Sequence, residues 1–126
     1  MRQPSSTLTG QELEIMKIVW ERNRATVRDV YEALLERRKV AYTTVMTMMK
    51  ILEQKKYLKK SQADRAYVYR PAQPQRQVIG AMVREFVNRV FNGSAEPLLV
   101  HLVEEGDLTR EDLEEIARLR KPGRHT

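Results

Sequence analysis

Hydrophobic residues recur at three- and four-residue intervals along the first third of the chain, a spacing typical of amphipathic helices. It predicts a first helix over residues 10–22 and a second that starts at residue 27 and ends in the polar run 36–39. Both starts carry the capping-box pattern, a threonine followed three residues later by an acidic residue, at Thr9 with Glu12 and at Thr26 with Asp29. We therefore expect two short helices with well-defined N-termini.

A third helix is predicted over residues 43–56, and its two sides differ in chemistry. One side is apolar, with Val45, Met48, Met49 and Leu52. The other side carries hydroxyl, amide and ammonium groups, on Thr43, Thr47, Lys50 and Gln54. A solvated helix typically exposes a mixture of acids and bases, whereas these groups can hydrogen bond to DNA base edges and phosphates. The methionines are expected to fill the core rather than to bind a soft metal.

Beyond the third helix the pattern changes from the helical repeat to alternation. Alternation predicts two short strands at residues 57–62 and 66–70, joined by a hairpin tip at residues 63–65. It also places Tyr67 and Tyr69 on one face of the hairpin. Packing of both rings against a helix is favoured there over stacking on nucleobases.

Pro71 and Pro74 mark a boundary, because neither fits the interior of a strand or a helix. We expect one domain over residues 1–72 and a second, entirely helical domain over residues 73–126. The tail at residues 121–126 is expected to be frayed. The helices of the second domain are predicted at residues 75–91, at residues 95–105 and from the capping box Thr109…Asp112 onward.

The first C-terminal helix carries an apolar stripe over more than half of its circumference. Short helices of the same chain cannot cover so wide a stripe, so the pattern predicts that a second copy packs against it as a homodimer. The expected dimerisation residues lie on all three C-terminal helices: Val83, Phe86, Val87, Val90, Leu98, Leu99, Leu102, Val103, Leu113 and Ile116.

Three helices followed by a two-stranded hairpin is the order of a winged helix-turn-helix. The expected fold is therefore mainly α with a small β-hairpin wing, followed by a C-terminal three-helix dimerisation region. In such a domain the third helix enters the major groove, and the hairpin reaches phosphates or the minor groove. Besides the hydroxyl side of the third helix, the residues expected to contact DNA are Arg28, Met46, Lys59, Lys60 and Arg65.

The distribution of charge agrees with this interpretation. Residues 1–71 carry 15 Lys and Arg against 8 Asp and Glu, whereas residues 72–126 carry 8 against 9, within a total net charge of +6. The basic half suits a polyanion, either nucleic acid or an anionic membrane surface, although a solvated basic face has the same composition. The polar third helix beside a basic hairpin favours double-stranded DNA.

Composition also excludes several classes of function. The chain has no cysteine, which excludes disulfides and metal–thiolate sites. Neither a metal-ligand spacing nor a catalytic constellation is evident, so we expect no metal, no cofactor and no enzymatic activity. No segment approaches the ~20 apolar residues that cross a membrane, and the N-terminus lacks the apolar core of a signal peptide. These features predict a cytoplasmic protein without membrane insertion.

Several segments together are specific enough to suggest a family: Thr26-Val27-Arg28-Asp29-Val30, Ala41-Tyr42-Thr43-Thr44-Val45 and the wing pattern Arg65-Ala66-Tyr67…Tyr69…Pro71. Through them the chain resembles the BlaI/MecI penicillinase-repressor family of bacterial transcriptional regulators over nearly its whole length. The resemblance implies a homodimeric repressor of a TACA…TGTA dyad operator that controls β-lactam-response or membrane-protease genes. It also implies DNA contacts from Tyr42, Thr43, Thr44, Thr47 and Lys50, with Arg65 in the wing.

In that family a membrane sensor-metalloprotease system leads to cleavage of the repressor within its fifth helix, at an Asn-Phe bond. The matching segment here is Leu98–Glu104, so the implied cleavage site is the bond between His101 and Leu102. Because this residue pair differs, cleavage would need a protease with a different sequence preference. Copper-responsive relatives bind metal through C-terminal cysteines, which this chain lacks.

Two other functions fit the same pattern. The winged helix could be a protein-interaction module, with the apolar stripe as the docking surface for another protein. It could also belong to a regulator that a small-molecule effector releases from DNA without proteolysis. DNA affinity separates the first alternative from a repressor, and a ligand that releases DNA would support the second.

Overall fold

The computed structural model describes residues 7–63 and 65–119 of the chain. Asp64 of the predicted hairpin tip and the predicted tail at residues 121–126 lie outside the described residues. The described part contains six helices and one antiparallel hairpin: α1 Gly10–Arg22, α2 Val27–Leu35, α3 Tyr42–Gln54, β1 Leu58–Ala63, β2 Ala66–Pro71, α4 Gln75–Phe91, α5 Glu96–Glu104 and α6 Arg110–Leu119. This order confirms the predicted fold class, a mainly α winged-helix fold with further helices after the wing.

The three predicted capping boxes are confirmed. At α1 the Thr9 hydroxyl accepts a hydrogen bond from the Glu12 N–H at 3.1 Å, and the Glu12 carboxylate accepts one from the Thr9 N–H at 2.9 Å. The same reciprocal pair forms at α2 and at α6, between Thr26 and Asp29 and between Thr109 and Asp112. These bonds satisfy N–H groups that the first helical turn leaves unpaired, so the helix starts were predictable from local sequence.

The bounds of α1 and α4 agree with the prediction, whereas the ends of several other elements differ from it by one or two residues. α3 begins at Tyr42 rather than residue 43 and ends at Gln54 rather than residue 56. Lys56 adopts a left-handed backbone conformation with φ of 73°, which ends the helix and directs the chain into β1. The bounds of β1, β2 and α5 differ by single residues at their ends.

The core of the N-terminal unit is formed by α1, α2, α3 and one face of the hairpin. Ala25 and Tyr69 extend the hairpin by a β-bridge, in which the two N–H groups donate to the opposite carbonyls at 2.9 and 2.8 Å. Met49 is fully buried, which confirms its packing role, while Met48 is half-buried. The apolar core residues of these elements are Ile15, Met16, Val19, Val30, Leu34, Val45, Met49, Leu52, Leu58 and Val68.

A buried ion pair joins the start of α1 to the end of α3. The Lys55 ammonium lies 2.9 and 3.1 Å from the two carboxylate oxygens of Glu12, and it also donates to the Thr7 carbonyl at 3.3 Å. Glu12 is the buried charged residue of this core, with 5% of its surface exposed. Because the same carboxylate also caps α1, one side chain fixes the helix start and its packing against α3.

The two tyrosines of the wing have different environments. Tyr69 is buried, with 4% of its surface exposed, whereas Tyr67 is 53% exposed. The prediction that both rings pack against a helix is therefore wrong for Tyr67. Register explains the difference, because Tyr67 pairs with Gln62 near the hairpin tip, while Tyr69 lies at the base of the wing beside Ala25.

The chain divides into two compact units, Met1–Gly80 and Ala81–Thr126. The division falls inside α4, whereas the sequence pattern places a boundary between residues 72 and 73. The prolines interrupt secondary structure, but compactness depends on packing, and Val78 in the first turn of α4 is buried. None of the helices in the described part of the chain is long and apolar enough to cross a membrane.

Candidate nucleic-acid interface

Contacts at both ends of the α2–α3 turn fix the direction of α3. On one side, the Tyr31 and Tyr42 rings meet edge to face, with centroids 5.3 Å apart and planes at 78°, which links α2 to the first residue of α3. On the other side, the Arg38 guanidinium lies 2.8 Å and the Arg37 guanidinium 3.7 Å from the Glu14 carboxylate of α1. α3 therefore leaves the turn in a defined direction, as a helix that reads DNA requires.

The polar side of α3 faces solvent. Thr43, Thr44, Thr47 and Lys50 are all exposed, and within the described residues none of these side chains makes a hydrogen bond or an ion pair. Ala41, the residue before α3, provides no side-chain cap, so the N–H groups of the first turn of α3 remain available to an anion. Threonine hydroxyls, the Lys50 ammonium and backbone N–H groups are thus presented together on one surface.

This surface borders a groove between α3 and the wing, which we call the recognition groove. Its volume is about 720 Å³. Four cations line it, Arg28, Lys50, Lys60 and Arg65, and no acidic residue of the described part of the chain is among its lining residues. The remaining lining residues are Thr26, Val27, Tyr42, Met46, Ala66, Tyr67 and Tyr69. The groove therefore unites six of the ten predicted DNA-contacting residues.

Lys60 has a fixed position in the recognition groove. Its ammonium lies 4.4 Å from the centroid of the Tyr67 ring and 3.6 Å from a carboxylate oxygen of Glu53 on α3. Because Lys60 pairs with Tyr69 in the hairpin, Tyr67 is its diagonal neighbour, within reach of a long side chain. This role of Tyr67 depends on the strand register, and the alternating sequence pattern alone did not indicate it.

Tyr69 forms the inner wall of the recognition groove and is neutral at physiological pH. Burial raises the pKa of its phenol above the ordinary value of 10.0, and the charges of Glu53 and Tyr67 act in the same direction. Lys60 partly opposes them by favouring the phenolate. The phenol therefore adds no negative charge to the recognition groove.

Lys59 and Lys60 lie on opposite faces of the wing. Adjacent residues of a strand point to opposite sides, and the register pairs Lys59 with Arg70 but Lys60 with Tyr69. Lys59 accordingly lines a different groove, whereas Lys60 lines the recognition groove. The two lysines, which the sequence analysis assigned to one DNA-binding set, are thus not brought together.

The C-terminal unit exposes much of its apolar surface. Six of the expected dimerisation residues are exposed: Val83, Phe86, Val90, Leu99, Val103 and Ile116. Leu98, Leu102 and Leu113 are half-buried, and Val87 is buried within its own chain at 8% exposure. Val100 and Leu119, which are not among the expected dimerisation residues, are exposed as well. The described helices therefore leave an apolar surface without cover.

The bond between His101 and Leu102 lies inside α5. His101 is exposed, with its ring centroid 6.1 Å from that of Phe91, and Leu102 is half-buried. The Leu102 carbonyl accepts hydrogen bonds from the N–H groups of Asp107 and Leu108, at 2.9 and 3.1 Å. A protease would thus meet helical backbone at this bond. Among the described residues, no three His, Asp or Glu side chains are grouped so that they could hold a metal ion.

The chain is similar in sequence to known transcriptional regulators. A family model described as penicillinase repressor matches residues 8–121. The chain is 38% identical over 112 residues to the transcriptional regulator BlaI of Mycobacterium tuberculosis, an alignment that covers 83% of this chain and 81% of that protein. It is 25% identical over 112 residues to the penicillinase repressor of Bacillus licheniformis, with 89% and 88% covered.

Among solved structures, the monomeric form of Bacillus licheniformis BlaI in complex with the blaP half-operator aligns with a TM-score of 0.49 and 26% identity. The alignment covers 59% of this chain and 88% of that one. The sequence relatives are transcriptional regulators and repressors, not enzymes.

Proposed function

The chain belongs to the penicillinase repressor family, and we propose that it represses transcription as a homodimer bound to a dyad operator. The proposal depends above all on one observation. The exposed hydroxyl and ammonium groups of α3 border a groove in which the described part of the chain places four cations and no acidic residue. Such a surface is complementary to DNA, which presents base edges in the groove and phosphates on both sides of it.

In this proposal α3 enters the major groove, which is about 12 Å wide and admits a helix. Thr43, Thr44 and Thr47 contact base edges, because their hydroxyls can both donate and accept hydrogen bonds. Met46, which is 41% exposed, contacts a thymine methyl group. Tyr42 and the four cations of the recognition groove position the protein on phosphates or in the minor groove. Lys59 takes no part, because it lies on the other face of the wing.

The proposed operator is a dyad of the TACA…TGTA type, located at β-lactam-response or membrane-protease genes. A two-fold dimer is suited to a two-fold site, since each copy of α3 then meets one half-site. The exposed apolar side chains of α4, α5 and α6 support the dimer, because a second copy would remove them from water. Linking two half-site readers raises the affinity for the whole operator by ~10²-fold or more.

Release from DNA is proposed to follow cleavage of the His101–Leu102 bond after activation of a membrane sensor-metalloprotease. The cut would separate α6 and the end of α5 from α4, and so remove part of the dimer surface. The helical conformation of the bond means that α5 must open locally before cleavage. Co-expression with the cognate sensor should yield one fragment that ends at residue 101 and one that begins at residue 102, whereas induction with an intact chain would contradict this route.

Titration of labelled duplexes tests the proposed function. The full chain is added to a TACA…TGTA dyad and to a scrambled duplex of equal composition, at physiological salt, and fluorescence anisotropy gives both affinities. We expect the dyad to bind at least ~10³-fold more tightly, the usual lower margin for specific sites. Equal affinities would contradict operator specificity. A monomeric chain without DNA affinity would instead support the protein-interaction module, and a small molecule that releases DNA would support an effector-controlled regulator.

A further inference from the structure

A second groove lies on the face of the wing that carries Lys59, and we call it the outer wing groove. Its volume is about 750 Å³, and it is lined by Trp20, Asn23, Arg24, Lys59, Arg70, Pro71, Ala72, Gln73, Pro74 and Gln75. α3 contributes none of these residues. The proposed contacts with DNA therefore leave this groove unused.

Three cations form a row across the outer wing groove. Lys59 and Arg70 are directly opposite each other on β1 and β2. The antiparallel bridge between Ala25 and Tyr69 places Arg24 opposite Arg70 on the other side. Because neighbouring strands lie about 4.8 Å apart, the row spans about 10 Å at the backbone.

Within the described part of the chain, none of these three charges has a carboxylate at ion-pair distance. None of the three side chains makes an ion pair or a hydrogen bond there, and no acidic residue is among the described lining residues. Like charges directly opposite each other in a hairpin are destabilising. Lys60 on the other face of the wing, in contrast, has Glu53 and Tyr67 as partners. The row therefore has an electrostatic cost that a bound anion would remove.

The remaining wall of the outer wing groove is held in place before any ligand arrives. The Trp20 indole N–H donates to the Gln73 carbonyl at 3.0 Å, and the Gln73 amide donates to the Lys56 carbonyl at 2.9 Å. The Ala72 N–H also donates to the Tyr57 carbonyl, at 2.8 Å. These bonds fix the segment after β2 against α1 and the start of the wing, which makes the concave shape preformed.

We propose that the outer wing groove binds a small oligoanion that carries at least two phosphate or carboxylate groups. Each anionic group would lie between two neighbouring cations of the row, and both arginines can bind such a group through two parallel N–H donors. The volume of the outer wing groove is within the range of about 300–1,000 Å³ that is usual for small-molecule sites. This site does not require that the chain be a repressor.

Isothermal titration calorimetry of the full chain tests the proposal, with sodium triphosphate and citrate as separate probes. We expect one bound anion per chain, and the probe with the higher affinity identifies the preferred chemistry as phosphate or carboxylate. The double variant Lys59→Gln/Arg70→Gln should bind at least ~10-fold more weakly, since it removes two charge-assisted contacts. The control Arg110→Gln/Arg118→Gln removes the same charge from exposed positions of α6 and should bind as the wild type does.

Several results would overturn the proposal. Absence of binding to both probes, or an equal loss in both double variants, would show that no specific site exists. A loss of affinity for the small anions in the Lys50→Gln variant would place the anion in the recognition groove instead. If the Lys59→Gln/Arg70→Gln variant bound duplex DNA more weakly but bound small anions as the wild type does, Lys59 and Arg70 would be assigned to DNA contacts. The Lys59→Gln/Arg70→Gln variant should also melt no lower than the wild type, because it removes a repulsion; a lower melting temperature would indicate that these cations support the fold.

Discussion

The four cations of the recognition groove are not equivalent at the level of single residues. Lys60 is already engaged by Glu53 and Tyr67, and Arg28 lies 3.4 Å from Glu32 in an exposed pair. Lys50 and Arg65 make no such contact within the described residues. A side chain that gives up no partner gains the most from a phosphate, so Lys50 and Arg65 should dominate the electrostatic part of binding.

Lys50 and Thr47 are adjacent on the exposed side of α3 and should have separable effects on DNA binding. Lys50→Ala should weaken binding to every sequence and lower the slope of log K against log salt by about 0.9, the contribution of one phosphate contact. Thr47→Ala should leave that slope unchanged and reduce discrimination between operator and scrambled DNA by about 1–3 kcal/mol. Anisotropy titrations over a series of salt concentrations measure both quantities.

Two further variants serve as controls for Lys50→Ala and Thr47→Ala. Lys17→Ala removes an exposed charge from α1, which does not line the recognition groove, and should leave the slope as in the wild type. Thr47→Ser keeps the hydroxyl and should retain most of the discrimination. Unchanged discrimination in Thr47→Ala would argue against base contacts by this side chain.

Tyr69 should make stability depend on pH in the alkaline range. The pKa of its phenol in the folded protein is raised above 10.0, chiefly by burial, so the folded state holds its proton when the unfolded state has lost it. The stability that this pKa difference contributes is fully present below pH ~10 and is lost as the pH rises through the pKa of Tyr69 in the folded protein. Urea unfolding between pH 9 and 11 should show a steeper loss of stability for the wild type than for Tyr69→Phe. Parallel curves for Tyr69→Phe and the wild type would contradict the effect.

Among the secondary-structure elements, the ion pair between Glu12 and Lys55 links α1 to α3. Glu12→Gln keeps an oxygen that can accept the Thr9 N–H, but it leaves the partly buried Lys55 ammonium without its counter-charge. We expect a loss of about 3 kcal/mol in unfolding free energy, at the lower end for a broken buried pair because Lys55 retains some contact with water. Chemical denaturation measures this loss.

Glu14→Gln is the matched control on the same helix. It breaks the ion pairs with Arg37 and Arg38, which are more exposed, so it should cost less than about 1 kcal/mol. The double variant Glu12→Gln/Lys55→Met should recover part of the loss, because no uncompensated charge remains. A loss no larger for Glu12→Gln than for Glu14→Gln would show that the buried pair contributes little.

Local pattern was sufficient to predict the elements, but not which face of the wing each side chain occupies. The capping boxes at Thr9, Thr26 and Thr109 act within four residues, so the helix starts follow directly from sequence. The separation of Lys59 from Lys60 and the exposure of Tyr67 depend instead on strand register and on how far the hairpin extends past the helices. The outer wing groove likewise requires the bridge between Ala25 and Tyr69, which no local pattern indicated.

At the scale of the whole molecule, charge and apolar surface are separated along the chain. The recognition groove and the outer wing groove both belong to the N-terminal unit, which carries the excess of Lys and Arg. The C-terminal unit has almost balanced charge and exposes apolar side chains. Exposed apolar side chains on three helices support the proposed dimer, since single exposed residues would need no explanation.

Dimerisation through the C-terminal unit can be tested with two variants that each place a negative charge on α4, one at an apolar position and one at a polar position. Phe86→Glu puts a carboxylate among the exposed apolar side chains, so burial of this surface against a second copy would desolvate an unpaired charge. Asn88→Glu adds the same charge at an exposed polar position of the same helix. Sedimentation equilibrium should find a dimer for the wild type and for Asn88→Glu, but a monomer for Phe86→Glu. The monomer should still bind a half-site, while its affinity for the full dyad should fall by ~10²-fold, because the two readers are no longer linked. A Phe86→Glu variant that remains dimeric would exclude this surface as the interface.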